Sequence, residues 1–259
     1  FSQHTFTVVV SDISSGQGSA TLSLSESEYP VAFAGVESST LLFTTIDGEL
    51  HVRSLNKELL LLTDTLIDQN WGGEIDVIVR EDGLAHAAWT SRKQSQQGYY
   101  LNDVAMTSFS ATGQMLPVHH HLTPLKISEG QYWGLDLAQE DETVVLSGYF
   151  RNISTGGSWT DLTSIFSIHS TTPDVGDNWT EMRTHVPVVD IHPSDGDQLA
   201  TLLSDGILHV LYQELRDDVT GIERTGLMYS RGELDSSLWS YQSSIGDEAS
   251  SAQLGTLLK

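Results

Sequence analysis

Two aspartates, Asp76 and Asp136, are the first candidates for chemistry in this chain. Each lies in an alternating segment that predicts a β-strand, DVIV at 76–79 and LDLA at 135–138. A glycosidase needs two carboxyl groups flanking the bond that it cleaves, one as acid and one as base or nucleophile. Both aspartates stand at corresponding places in their strands, which predicts a catalytic pair. The alternative is coincidence, because the chain has 35 acidic residues.

Arginine and aromatic side chains form a second candidate site. Arg92, Arg151 and Arg216 follow three predicted strands at similar positions. A guanidinium group binds a carboxylate through two parallel hydrogen bonds, and an aromatic ring packs on the apolar face of a sugar. The sequence therefore predicts a binding site for an acidic sugar, with the aromatic residues supplied by Trp71, Tyr132 and Trp133. The alternative is that the arginines form surface salt bridges with the abundant acids.

Three histidines recur at one position of a repeated segment, and they argue against a metal site. His51, His86 and His209 each follow a short turn by three residues. One histidine per repeat predicts a packing role with a hydrogen-bonded ring nitrogen, because such residues lie too far apart to share a metal ion. No cofactor is predicted. Calcium stays an open alternative for the acidic run at 190–197, although that run lacks the regular ligand spacing of a calcium loop.

The elements that position these residues are repeated hairpins. In each, an apolar strand leads into a turn, usually Asp-Gly, and a second apolar strand follows. Asp-Gly between alternating strands predicts a tight turn, because glycine accepts a positive φ. A hairpin repeated along the chain predicts an all-β propeller. The copies lie at 41–52, 76–89 and 199–212, with a degenerate copy at 135–149 in which Leu146 replaces the histidine.

The repeats predict a single domain over residues 1–259 with five blades. QLGTLLK at 253–259 repeats QLATLLS at 198–204, and His4 takes the histidine position near the start of the chain. We therefore expect both ends of the chain to complete one split blade. The alternative is a fragment of a six- or seven-bladed propeller. The predicted blades are 1–40 with 253–259, 41–75, 76–134, 135–197 and 198–252.

One short segment resembles a family motif. Thr172-x-Asp174-x-Gly176-x-x-Trp179 is similar to the Asp box of sialidase-like, BNR-repeat propellers. In that family the aspartate binds turn amides, the glycine permits the turn and the tryptophan packs between strands. The resemblance therefore implies a structural role for this segment. A second segment, 227–242, has the same layout around Trp239 without the aspartate and glycine spacing.

Composition limits the classes of function. The net charge of −23 repels nucleic acid and anionic membranes, and we expect no membrane insertion. An extracellular or cell-surface location is predicted from this acidity and from the propeller class. The main functional prediction is a non-catalytic binding or scaffold propeller that recognises a glycan or a protein partner. The alternative is a glycoside hydrolase, sialidase-like or five-bladed, acting on acidic or neutral polysaccharide; the oligomeric state is left open.

Overall fold

The computed structural model describes most of the chain. The described residues are 7–11, 19–25, 27–37, 39–94, 100–110, 112–116, 119–120, 130–153, 159–172, 178–189, 199–217, 223–236, 239 and 241–246.

Within these ranges the secondary structure consists of β-strands. None of the described segments is a helix that could span a membrane. The strands are β1 (Thr7–Ser11), β2 (Ser19–Ser23), β3 (Glu28–Gly35), β4 (Thr40–Ile46), β5 (Glu49–Leu55), β6 (Leu61–Asp68), β7 (Trp71–Val79), β8 (Ala85–Gln94), β9 (Tyr100–Phe109), β10 (His119–His120), β11 (Gly130–Glu140), β12 (Thr143–Ile153), β13 (Trp159–Ser170), β14 (Arg183–Val189), β15 (Leu199–Ser204), β16 (Ile207–Asp217), β17 (Glu223–Glu233) and β18 (Tyr241–Gly246).

The strands form sheets in simple chain order. β3 to β6, β7 to β10, β11 to β14 and β15 to β18 each make a four-stranded sheet, and β1 pairs with β2. All the pairings with a described register are antiparallel. Consecutive antiparallel strands need only short turns between them, which agrees with the turn-rich sequence.

The predicted hairpins are present, and their turns explain the Asp-Gly repeat. Asp47 and Gly48 have φ of 52° and 87°, and Asp205 and Gly206 have φ of 54° and 70°. Two successive positive φ values define the tight turn whose twist matches that of paired strands. In the degenerate copy Asp141 alone takes this conformation, with φ of 51°. An aspartate is thus sufficient to start the turn where the glycine is missing.

One hairpin lies at a different place in its sheet. β7–β8, β11–β12 and β15–β16 are the first and second strands of their sheets, whereas β4–β5 are the second and third. The additional first strand, β3, joins β4 through a turn closed by hydrogen bonds between Val36 and Ser39. That turn has no Asp-Gly pair, so the repeat does not reveal it. The blade boundaries and the split blade stay predictions, because His4 and residues 253–259 lie outside the described residues.

The chain divides into two compact units. The first comprises Phe1–Ser91 with Met106–Val118, and the second comprises Arg92–Ala105 with His119–Lys259. In the first unit the fully buried ring of Phe43 meets Phe109 edge-on, with centroids 5.6 Å apart. In the second, Trp133 stacks on Tyr149 at 5.6 Å within a cluster that includes Tyr212. Each unit has its own apolar core.

Candidate functional site

The start of β11 carries two of the predicted ligand-binding aromatic residues, Tyr132 and Trp133. Asn102 on β9 fixes the position of the Tyr132 backbone. Its side-chain Nδ2 donates to the Tyr132 carbonyl, and its Oδ1 accepts from the Tyr132 amide, both at 2.7 Å. The asparagine side chain therefore pairs with β11 as a neighbouring peptide group would. This contact joins β9 to the first strand of the next sheet.

Both aromatic rings are buried. Tyr132 is 3% exposed and packs against Phe150 and Phe166, with ring centroids 4.9 and 5.4 Å away. Burial raises the pKa of the Tyr132 phenol, and the negative charge of Asp103 raises it further. Tyr132 is therefore protonated at neutral pH and is suited to donate a hydrogen bond. The rings of Tyr132 and Trp133 leave no open face for the predicted stacking on a sugar.

Asp103 is a buried carboxylate at this edge that the sequence analysis did not select. It is 9% exposed and forms an ion pair with the ammonium group of Lys93, whose side chain is half-exposed. The charge of Asp103 contributes to the raised pKa of Tyr132, and its neighbour in the chain, Asn102, binds the Tyr132 backbone. An Asn-Asp pair beside the apolar run VAM, in the strand YLNDVAMTSF, was the available signal. It was missed because no spacing rule connects it with Tyr132.

Asp136, one of the predicted catalytic acids, binds a backbone amide. Its Oδ2 accepts a hydrogen bond of 2.5 Å from the Thr201 amide on β15. Glu140, four residues further along β11, accepts hydrogen bonds from the Asp205 and Gly206 amides at 2.6 and 2.9 Å. The two acids of β11 therefore hold the next hairpin. This contact is structural, and it leaves a catalytic role for Asp136 as a prediction.

Asp76 and Asp136 do not share a register, which corrects the premise for pairing them. Asp76 pairs with Ala88, two residues after His86, whereas Asp136 pairs with Ser147, one residue after Leu146. A shift of one residue places a side chain on the other face of a sheet. The physical reason is the length of the two turns: five residues, 80–84, separate the paired Val79 and Ala85, whereas two residues, 141–142, separate the paired Glu140 and Thr143.

The three arginines also have different surroundings. Arg151 is 7% exposed within β12, opposite Gln131 and Thr163, whereas Arg92 is exposed near the end of β8. Arg216 pairs in register with Arg224 of β17. Counted from the repeated histidine position, Arg92 follows by six residues, Arg151 by five and Arg216 by seven. Strand alternation therefore places Arg92 and Arg151 on different faces relative to that position, and joint ligand binding by the three arginines stays a prediction. Trp71 is half-buried and pairs with Ser91.

The repeated histidines have the structural role predicted for them. His86 Nδ1 lies 2.8 Å from Ser108 Oγ, and His209 Nδ1 lies 2.6 Å from the Tyr229 hydroxyl. His51 Nδ1 lies 3.3 Å from Asp64. In every case the partner is on the next strand of the same sheet. The histidine position therefore links the second strand of a hairpin to the strand that follows it.

The Asp-box segment is only partly described. Asp174 and Gly176 lie outside the described residues, while Asn178 Nδ2 donates to Thr172 Oγ1 at 3.0 Å and Trp179 is half-buried. The Asp box itself stays a prediction. Among the described residues, no group of three His, Asp or Glu side chains is placed to hold a metal ion. The acidic run at 190–197 lies outside them.

Comparisons with known proteins identify the fold. No family model and no curated protein matches the chain. The α-L-arabinanase of Penicillium chrysogenum complexed with arabinobiose has a TM-score of 0.51 and 10% identity, over 86% of this chain and 67% of that one. The GH93 α-L-arabinofuranosidase of Fusarium graminearum with arabinobiose has a TM-score of 0.51 and 9% identity, over 84% and 65%. The chain thus spans about two thirds of each enzyme's length.

These similarities confirm the predicted fold class, an all-β propeller. They also correct the main functional prediction. A non-catalytic binding or scaffold propeller was expected, but both similar structures are glycoside hydrolases, the class that the sequence analysis named as its alternative.

Proposed function

We propose that this protein is a glycoside hydrolase that acts on a polysaccharide. The observation that carries the proposal is the propeller fold shared with two hydrolases, each of which was solved with arabinobiose. A polymer of arabinose or a related neutral sugar is therefore the first substrate to test.

The second unit supplies carboxylates near a protonated phenol, which supports this proposal. Asp103 is buried and its charge is compensated by Lys93, which suits a base or nucleophile better than an acid. Tyr132 adds a hydroxyl group that is protonated at neutral pH and is suited to bind a sugar oxygen. Asp136, in the same unit, is the further candidate for the acid. Asp76 belongs to the first unit and is tested separately.

The charge of the protein favours a neutral substrate over an acidic one. With 35 acidic and 12 basic residues, the chain repels a polyanion from a distance. Added salt screens this repulsion, with a screening length of about 10 Å at 0.1 M. Hydrolysis of arabinan is therefore expected to be nearly independent of salt. Hydrolysis of polygalacturonate, where it occurs, is expected to rise with salt.

The test is release of reducing sugar from arabinan, xylan and polygalacturonate by the purified protein. Asp103→Asn, Asp136→Asn and Asp76→Asn are compared with Glu142→Gln, an exposed acid in the β11–β12 turn. Loss of a catalytic carboxyl group is expected to lower the rate by about 100-fold or more in protein that circular dichroism shows to be folded. A folded wild-type protein that cleaves none of these glycans, or full activity in all three variants, contradicts the proposal.

A further inference from the structure

Trp239 bridges two sheets of the second unit. Its indole ring stacks on the imidazole of His185, on β14 of the preceding sheet, with centroids 4.3 Å apart and planes at 26°. The indole also lies close to Gly232 of β17, where an added Cβ would be 2.4 Å from Trp239 Cδ1. Trp239 is therefore held between the third strand of its own sheet and the fourth strand of the preceding one.

His185 is held in its neutral form by its surroundings. Nε2 lies 2.7 Å from the hydroxyl of Ser167, which is 1% exposed on β13. Nδ1 is buried and has no hydrogen-bond partner among the described residues. Burial lowers the pKa of His185 to about 4, and the positive charge of Arg183 contributes. A proton on Nδ1 would be buried without an acceptor and beside a guanidinium group.

A second contact fastens the same loop. Asp235 Oδ1 lies 3.4 Å from Arg183 Nη2 and 3.7 Å from His169 Nε2. The Asp235 side chain is exposed, so each ion pair is weak. Two backbone hydrogen bonds hold the start of the loop, Leu234 N to the Gly206 carbonyl and Ser236 N to the Glu233 carbonyl. The loop is thus attached at Trp239 and, more weakly, at Asp235.

The titratable and charged groups around His185 come from three elements. They are Arg183 on its own strand, His169 on β13 and Asp235 in the loop after β17. β16 also approaches β14, and its His209 is bonded to Tyr229. The residue of β17 beneath the indole is Gly232, which carries no charge. No described carboxylate other than Asp235 takes part in these contacts.

We propose that Trp239 and His185 form a clasp between the two sheets that opens in acid. The stack persists while the imidazole is neutral, and proton uptake at His185 releases Trp239 and its loop from β14. This inference concerns the blade edge and is independent of the proposed hydrolase activity.

The sign of the effect follows from the two states of His185. The ordinary pKa of 6.5 applies when the clasp is open, and the value of about 4 applies when it is closed. The open state therefore binds the proton more readily. The stabilisation is complete above pH 6.5 and is lost progressively as the pH falls towards 4.

The experiment is amide hydrogen exchange by NMR between pH 7.5 and 5.0, corrected for the intrinsic exchange rate. For the wild type we expect opening at Leu234 and Ser236 to rise by about tenfold per pH unit below 6.5, because one proton is taken up on opening. His185→Phe keeps a ring for Trp239 and cannot be protonated, so this dependence should disappear. His51→Phe, in the first unit, is the control and should keep it.

Two results would contradict the proposal that Trp239 and His185 form an acid-sensitive clasp. One is a wild-type pH dependence retained in His185→Phe. The other is a wild-type His185 imidazole that titrates near 6.5 while the Leu234 and Ser236 amides stay protected. The second measurement needs only the wild-type protein, so it decides the matter even if the phenylalanine variant does not fold.

Discussion

Asn102 makes two hydrogen bonds of 2.7 Å with the backbone of Tyr132, thirty positions further along the chain. A side-chain amide thus completes the pairing of a strand that belongs to another sheet. The residues of the proposed site on β9 and β11 depend on this contact for their relative position.

Asn102→Ala is expected to lower the free energy of unfolding by about 2–4 kcal/mol, because the Tyr132 amide and carbonyl both lose a partner. Urea unfolding measures the change. Asn178→Ala is the matched control: its side chain is exposed and donates one hydrogen bond to Thr172, so we expect a loss of about 0.5 kcal/mol or less. Equal losses in the two variants would show that Asn102 has no special role.

The Trp89–Asp68 contact is expected to show strong energetic coupling. The indole Nε1 of Trp89 donates a 2.7 Å hydrogen bond to Asp68 Oδ2, and both residues are buried. Hydrogen bonds to charged groups contribute about 1.5–3 kcal/mol. A double-mutant cycle with Trp89→Phe and Asp68→Ala should give a coupling energy in that range. Additive effects would mean that the contact contributes little.

The repeat allowed the hairpins and their turns to be predicted from sequence, since each depends on neighbouring residues. The Asp-Gly pairs and the histidine position predicted the hairpins β4–β5, β7–β8 and β15–β16. The strand β3 was missed because its turn uses Val36 and Ser39. The one-residue offset between Asp76 and Asp136 was missed because the turn at 80–84 is longer than the turn at 141–142, although each contains an aspartate.

The candidate site was less predictable, because its contacts join residues that are distant in sequence. Arg151, Tyr132 and Trp133 were selected for their chemistry, but their burial depends on packing between strands. The ion pair of Asp103 with Lys93 and the Asn102–Tyr132 contact follow from strand order, which one sequence does not specify.

Glu28→Gln is expected to destabilise the first unit in a pH-dependent way. Burial opposes ionisation of Glu28, but hydrogen bonds from Ser25 and the charge of Arg53 outweigh it and lower the pKa below 4.5. Its contribution is therefore present above pH 4.5 and is lost as the pH falls below that value.

At pH 7 we expect Glu28→Gln to cost about 1–3 kcal/mol, measured by urea unfolding. The difference from wild type should shrink in acid. Glu58→Gln, at an exposed position in the β5–β6 turn, should have almost no effect at either pH. A constant difference between pH 7 and pH 4 would contradict the assigned role of the charge.

Gly232→Ala is expected to displace Trp239, because its Cβ would lie 2.4 Å from the indole. We expect a loss of about 1–3 kcal/mol in unfolding free energy and a change in tryptophan fluorescence. Gly35→Ala provides the control, since nothing lies within 4 Å of the added atom. If both substitutions are equally mild, Trp239 does not pack tightly on β17.

The carboxylate of Glu140 accepts hydrogen bonds from both amides of the Asp205–Gly206 turn, in a chain that has few basic residues. With 35 acids and 12 bases, the bases are too few to pair one to one with the acids. Peptide amides bind the carboxylates of Glu140 and Asp136, and an indole N–H binds that of Asp68. The buried Asp68 contact and the part-buried Asp136 contact are screened less by dissolved ions than surface ion pairs are. We therefore expect these contacts to keep their contribution to stability at high salt concentration.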